Sequence, residues 1–190
     1  ETRLEGKTLG DVMKLMQGEA GETVALVLYR PELERHVKLE VKREKLKNTT
    51  VETQLLEVEE VKIGYVIISL FAENTAEEWK KALDVLLAKE VQGLIIDVRD
   101  NPGGYLHSVA QMMSMFEQNE KTFAYMQNHE GETESLKTKT SEAFAPYAMQ
   151  LSDMPITVLQ NEGSASASEV FAGALQDWKR AVVIGVTSFG

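Results

Sequence analysis

The chain has 190 residues, a formal net charge of −10 at pH 7, 43% hydrophobic residues and no cysteine. That apolar content supports one sizeable core and argues against disorder; the acidic balance argues against a nucleic-acid partner, and the missing cysteines exclude disulfides, thiolate metal sites and a cysteine nucleophile. No apolar run approaches the ~18 residues of a membrane span, no signal peptide stands at Glu1, and neither a P-loop nor zinc-ligand spacing occurs, so no metal, nucleotide or other cofactor is expected.

In chain order, "GKTLGDVMKLMQG" (Gly6–Gly18) reads as a short helix capped by Thr8, with Leu9, Val12, Met13 and Met16 as its apolar stripe and Gly18 as its stop. "ETVALVLYR" alternates, with Val24, Leu26 and Leu28 on one face; "ERHVKLEVKRE" does the same with Val37, Leu39 and Val41, and Pro31-Glu32-Leu33 joins the two as a hairpin turn. One helix and two strands are too few to hold a core, so further strands are expected before Glu1. The polar "KLKNTTVET" then marks a boundary near residues 44–52, which divides the chain into 1–46 and 47–190.

Beyond it the pattern changes. "IGYVIISLF" (Ile63–Phe71) is almost continuously apolar, as suits a strand buried on both faces. "NTAEEWKKALDVLLAKE" is an amphipathic helix with Asn74 or Thr75 as cap and Trp79, Leu83, Leu86 and Leu87 inward. "VQGLIIDVRD" is a second buried strand, followed by the glycine turn and helix of "NPGGYLHSVAQMMSMFEQ". The segment from about Lys121 to Gln150 is polar and irregular, a hairpin or lid. "ITVLQ" is a third strand leading into "NEGSASASEVFAGALQDW", and "AVVIGV" is a fourth. Strands alternating with helices indicate an α/β fold with a mostly parallel sheet and crossover helices. Such sheets bind ligands beyond the C-terminal ends of their strands, where both glycine-bearing turns lie.

The serine run raises two readings. Ser166 and Glu169 fit a Ser-x-x-Glu capping box, a common helix start. The alternative is a nucleophile: small alternating residues admit a substrate backbone, and a serine at a helix N-terminus has N–H groups and the helix dipole beside it, suited to a developing oxyanion. Pro102-Gly103-Gly104 reads either as an ordinary turn or as a loop presenting N–H groups to an oxyanion. Paired, the two turns make an acyl-transfer site. The base is less evident. Of His36, His107 and His129, only His107 stands near a motif, and a Ser–His–Asp arrangement is poorly supported. A Ser–Lys dyad is the remaining option. Lys179 fails it, lying roughly 20 Å from Ser166 along the same helix.

"NEGSASASEVFAGALQDWKRAVVIGVTSFG" resembles the catalytic segment of the C-terminal processing peptidases, or tail-specific proteases. Their pattern is N-x-G-[ST]-A-S-A-[SA]-E-[IV], an A-x-A/G-A-L helix, then R/P-x-x-x-I/V-G-x-x-T/S-F-G-K-G-T. "DVRDNPGG" resembles the same family's D-L-R-x-N-x-G-G. The match runs from Val61 to Gly190, with both motifs in order and at the right spacing. The resemblance implies a ClpP/crotonase-like peptidase core, with Ser166 as nucleophile of a Ser–Lys dyad. The oxyanion hole would come from Gly103 or Gly104 together with Ala167. Residues 1–46 resemble the second half of the family's PDZ domain, with the Thr8 helix lining a groove that takes substrate C-terminal tails as an added strand. The implied partners are protein or peptide substrates, with a homo-oligomer also allowed. The implied location is extracytoplasmic, with membrane attachment only through an N-terminal anchor outside this sequence. The family's base is the Lys directly after F-G, oriented by a Gln slightly later. Both fall past Gly190, so the chain alone is expected to be inactive. Two rivals are weighed. Crotonase-like acyl-CoA chemistry needs adenine-binding loops and acidic catalytic residues that the serine run does not resemble. A non-catalytic peptide-binding scaffold would use Ser166 only as a helix cap.

Overall fold

The computed structural model describes residues 4, 6–8, 12, 15–44, 49–139 and 142–190. The backbone divides between Asn48 and Thr49 into two units. In the first, β1 (Thr23–Arg30) and β2 (Arg35–Lys42) pair antiparallel around a 3-10 turn, Pro31–Leu33. Val24, Leu26 and Leu28 lie opposite Val41, Leu39 and Val37, so the alternation does set one apolar face. Two strands supply no second layer, and Leu28, Leu39 and Val41 are exposed. Of the expected Gly6–Gly18 helix, positions 9–11, 13 and 14, including Leu9 and Met13, lie outside the described residues, while Val12, Leu15 and Met16 are helical.

The second unit is built on a five-stranded sheet of order β3-β4-β5-β8-β9. Its strands are β3 (Val51–Val58), β4 (Val61–Ile68), β5 (Gly93–Asp97), β8 (Ile156–Gln160) and β9 (Val182–Gly185). From β4 to β9 every pairing is parallel; β3 alone is antiparallel. Only the first residues of β3 fall in the polar boundary expected near residues 44–52, and no strand is expected there. β3 is an edge strand with most side chains exposed, so it lacks the apolar signature of its neighbours.

The inner strands also differ from the expectation of burial on both faces. Gly64, Val66 and Ile68 of β4, Leu94 and Ile96 of β5, and Ile156 and Val158 of β8 are buried and lie side by side across the register, while Ile63, Tyr65, Ile67, Ile95 and Leu159 on the other face are only half-buried. The packed face carries α1 (Thr75–Leu87), α2 (Leu106–Met113) and α4 (Ala167–Asp177), which contribute Trp79, Leu83, Leu86, Met112, Met113, Phe171 and Leu175 to one core. A chain of rings runs through it, Trp79 to Phe116 at 5.7 Å, Phe116 to Phe171 at 6.0 Å and Phe171 to Phe71 at 5.6 Å.

The polar stretch 121–150 holds a hairpin, β6 (Thr122–Gln127) with β7 (Thr133–Lys137), and then α3 (Ala145–Leu151), a helix the sequence reading did not place. Trp178 Nε1 donates to Thr122 O at 3.0 Å, and Lys121 Nζ lies 4.6 Å from the Trp178 ring centre. The hairpin base is thus fixed at the C-terminal end of α4, about 18 Å along the helix from Ser166. No helix among the described residues is long and apolar enough to cross a membrane.

Candidate active site

Two loops leave neighbouring parallel strands and meet. The first follows β5. At its root the Asp97 carboxylate, 4% exposed, accepts Arg99 N–H at 2.9 Å, Arg99 Nη2 at 2.6 Å and the Tyr65 hydroxyl at 2.5 Å. Burial pushes the Asp97 carboxyl up, but the Arg99 and Tyr65 hydrogen bonds outweigh it and hold the group below the ordinary carboxylate range. The Tyr65 hydroxyl is pushed up by its hydrogen bond to Asp97 and by burial.

Asn101 is fully buried and ties the loop together. Its Nδ2 donates to Ile68 O at 2.7 Å and its Oδ1 accepts Gly103 N–H at 2.8 Å. Gly103 N–H is therefore engaged inside the loop. Gly103 O accepts Phe71 N–H at 2.8 Å, and Tyr105 N–H donates to Phe71 O at 2.7 Å. This bridge packs Gly104, at φ +132°, so closely that a Cβ there would lie 2.2 Å from Phe71 O. Gly104 N–H donates to no acceptor among the described residues.

The second loop, after β8, carries the serine run. Its outer serines are fully buried and its middle one is exposed. Ser164 Oγ donates to Val98 O at 2.7 Å and accepts Asn161 N–H at 3.1 Å. Ser168 Oγ lies 2.9 Å from Asn101 O and 2.7 Å from Ala165 O. Ala165 N–H also donates to Asn101 O, at 3.0 Å, and Asn161 pairs with Asp100 through bonds of 2.8 and 2.9 Å. Both outer serines thus lace the second loop onto the first. A Cβ on Gly103 would stand 2.8 Å from Ser166 Cβ and 2.9 Å from Ala167 N, so only glycine allows the loops to approach this closely.

Ser166 sits between them at φ 54°, ψ −117°. An ordinary N-cap lies in the extended region. A non-glycine residue held at positive φ on a sharp strand-to-helix turn is strained, the arrangement that pushes a nucleophile out of its turn. The capping-box relation is also present: Glu169 Oε2 accepts Ser166 N–H at 2.6 Å, and the Ser166 side chain faces the Glu169 N–H, which also donates to the Ser166 backbone O at 3.0 Å. Ala167 N–H, at the first position of α4, donates to no acceptor among the described residues.

No histidine is hydrogen-bonded to Ser166 among the described residues. His107 is exposed on α2, and His129 is exposed on the hairpin turn beside Glu130. No group of three or more metal-ligating side chains occurs among the described residues. The sequence reading gave no role to Asn101, Ser164 or Ser168. Asn101 carried a signal in its fixed place before the glycines, but its two-sided bonding needs a fold to be seen.

The layout suits acyl transfer from a serine hydroxyl: an exposed Oγ on a strained turn, with two unengaged N–H groups on the loops meeting there. The chain belongs to peptidase family S41, whose family model matches residues 62–190. It is 34% identical over 187 residues to the carboxy-terminal processing protease CtpB of Bacillus subtilis, covering 98% of this chain and 37% of that protein. It is 37% identical over 185 residues to a probable CtpA-like serine protease of Staphylococcus haemolyticus, covering 97% of this chain and 35% of that one. Among solved structures, a photosystem II D1 C-terminal processing protease superposes with a TM-score of 0.65 at 28% identity, over 100% of this chain and 50% of that one. The chain thus spans roughly a third of the length of these curated relatives.

Proposed function

We propose that the protein is a serine endopeptidase that cuts protein substrates near their C-termini through an acyl-enzyme. Ser166 attacks the scissile carbonyl. Gly104 and Ala167 N–H hold the oxyanion, and Gly103 is the hinge that lets their loops meet. A Lys directly following Gly190 in the parent protein takes the serine proton. The observation that carries this reading is Ser166 itself, exposed and strained where the two loops meet, with Gly104 and Ala167 N–H unengaged among the described residues. Family membership supports the reaction type, and the names of the relatives support C-terminal processing.

Two further contacts favour a base carried just past Gly190. Phe189 N–H donates to Ser164 O at 3.0 Å, and Gly190 N–H donates to Glu169 Oε1 at 2.8 Å. The backbone leaving β9 therefore runs across the serine turn. Residues 1–46 act, in this reading, as part of a PDZ-like module that presents the substrate tail by strand addition. The setting is extracytoplasmic, with anchoring supplied elsewhere in the parent protein.

The test is hydrolysis of an unstructured protein substrate by the parent protein and two variants. Ser166→Ala, and replacement by Ala of the residue following Gly190, should each abolish turnover while folding is retained. Full residual cleavage by Ser166→Ala would leave Ser166 as a helix cap only.

A further inference from the structure

Glu169 does more than close a capping box. A capping box needs one carboxylate oxygen on the N-cap N–H. Here Oε2 takes that bond, 2.6 Å from Ser166 N, and Oε1 accepts Gly190 N–H at 2.8 Å from 21 residues further along the chain. The Ser188 side chain faces the same carboxylate. Gly190 N–H is the strongest influence holding the Glu169 carboxyl below its ordinary value. Burial opposes it, and Ser188 and Ser166 reinforce it, so the bonded form is the charged one. One side chain therefore joins the backbone of the strained serine to the backbone of the segment that leaves β9. No side chain of that segment is hydrogen-bonded to Ser166 among the described residues, so this carboxylate and the Phe189–Ser164 bond are its fastening to the turn.

We infer that Glu169 is a positioning residue: its carboxylate latches the Ser188–Gly190 segment to the Ser166 turn and so sets the distance between the nucleophile and whatever follows Gly190. The inference rests on the proposed serine mechanism, in which a base follows Gly190. Without the latch the Ser166 turn is still held by the buried Ser164 and Ser168 bonds and the Ala165–Asn101 bond, the Gly104 and Ala167 N–H groups stay in place, and substrate is still bound. What is lost is the fraction of time the base spends within reach of Oγ. The effect therefore falls on kcat and spares KM.

The test uses the full-length parent protein and its Glu169→Gln, Glu169→Asp and Ser166→Ala variants, with peptide hydrolysis and amide hydrogen exchange measured on each. A charge-assisted hydrogen bond lost in Glu169→Gln should speed exchange over residues 188–190 by about tenfold or more and lower kcat by about 10- to 100-fold, with KM within about threefold. Glu169→Asp keeps the charge but is one methylene shorter, cannot span both N–H groups, and should recover only part of the rate. Unchanged exchange in Glu169→Gln overturns the latch, as does faster exchange with kcat intact. Full recovery by Glu169→Asp overturns it as well, because charge alone would then suffice. Retained activity in Ser166→Ala would sink the serine mechanism instead, and the exchange data would still decide whether the latch exists.

Discussion

Replacing Ser166 by glycine should inactivate the protein and make it more stable. The side chain is held at φ 54°, ψ −117°, a conformation glycine adopts freely. Such strain costs about 1–3 kcal/mol. Against its release stand about 0.5–1 kcal/mol for the added freedom of glycine in the unfolded chain and a few tenths of a kcal/mol for the lost cap. The balance runs from about zero to a gain of about 2 kcal/mol and centres near 1 kcal/mol, which for a unit of this size raises Tm by about 4 °C. Both tryptophans, Trp79 and Trp178, lie in the Thr49–Gly190 unit, so urea unfolding followed by their fluorescence reports the relevant transition. Ser166→Ala is the control. It also removes the hydroxyl but keeps the strain, and should fall below the wild type by about 1 kcal/mol, as a lost cap does. An ordinary N-cap predicts a different sign, with the glycine variant slightly less stable than the wild type. If Ser166→Gly unfolds at lower urea than the wild type, the turn is not strained as argued, and the case for a nucleophile loses its main physical support.

Gly103→Ala would place a Cβ within 2.7 Å of Ala165 O at φ +102°, whereas nothing lies within 4 Å of a Cβ at Gly173 in α4. The first should cost about 2–4 kcal/mol in urea unfolding, and the second should gain about 0.5–1 kcal/mol. Equal effects would mean that the loops do not meet at Gly103. Asp97 is held below the usual carboxylate range by Arg99 and Tyr65 against the push of burial, so its contribution is present above the unfolded carboxylate pKa of about 4 and is lost as pH falls through the folded value. Asp97→Asn should lower stability at neutral pH and flatten the acid limb of the stability curve; an unchanged limb would show that Asp97 is not the group responsible. Replacing His36, His107 and His129 together should leave the rate–pH profile of the parent protein in place, and loss of its alkaline limb would return the base to an imidazole.

The parallel core strands and the helices between them were legible because β-branched apolar runs and 3.6-residue stripes survive in the sequence without any neighbour being known. β3 was not. Its residues face solvent along an edge, and its turn onto β4 is Glu59-Glu60, with φ of 49° and 68° at the two positions. A two-residue hairpin turn with both φ values positive normally announces itself by Asn or Gly, and two glutamates give no such warning. The assumed two-sided burial of β4, β5 and β8 failed for a related reason. An apolar side chain on a half-covered face looks the same in sequence as one in a core. The α3 helix was hidden inside a stretch whose composition reads as loop. At the site, the residue types pointed to Ser166 and the glycine loop. They could not decide between Gly103 and Gly104, because the choice depends on where the Asn101 amide points.

The alternation of the serine run follows from this geometry. Ser164 stands in the loop before the turn and Ser168 in the first turn of α4, with Ser166 at the junction between them. At Ser166 the backbone reverses hand, and the middle hydroxyl turns outward while its neighbours stay buried against Val98 O and Asn101 O. A strained residue persists only where its surroundings fix it. The fixing here comes from the residues on either side: two buried hydroxyls, the Ala165–Asn101 backbone bond, the Asn161–Asp100 pair and the Glu169 carboxylate, all within a few residues of Ser166. Each outer hydroxyl serves a buried carbonyl, so its loss should cost about 1–3 kcal/mol. The two costs should not add, because both serines hold the same pair of loops. A double variant, Ser164→Ala with Ser168→Ala, that loses no more than the larger single loss would show that one lacing already releases the turn. A strictly additive loss would mean that the two serines act on independent parts of the structure, and the account of a jointly held nucleophile would have to be abandoned.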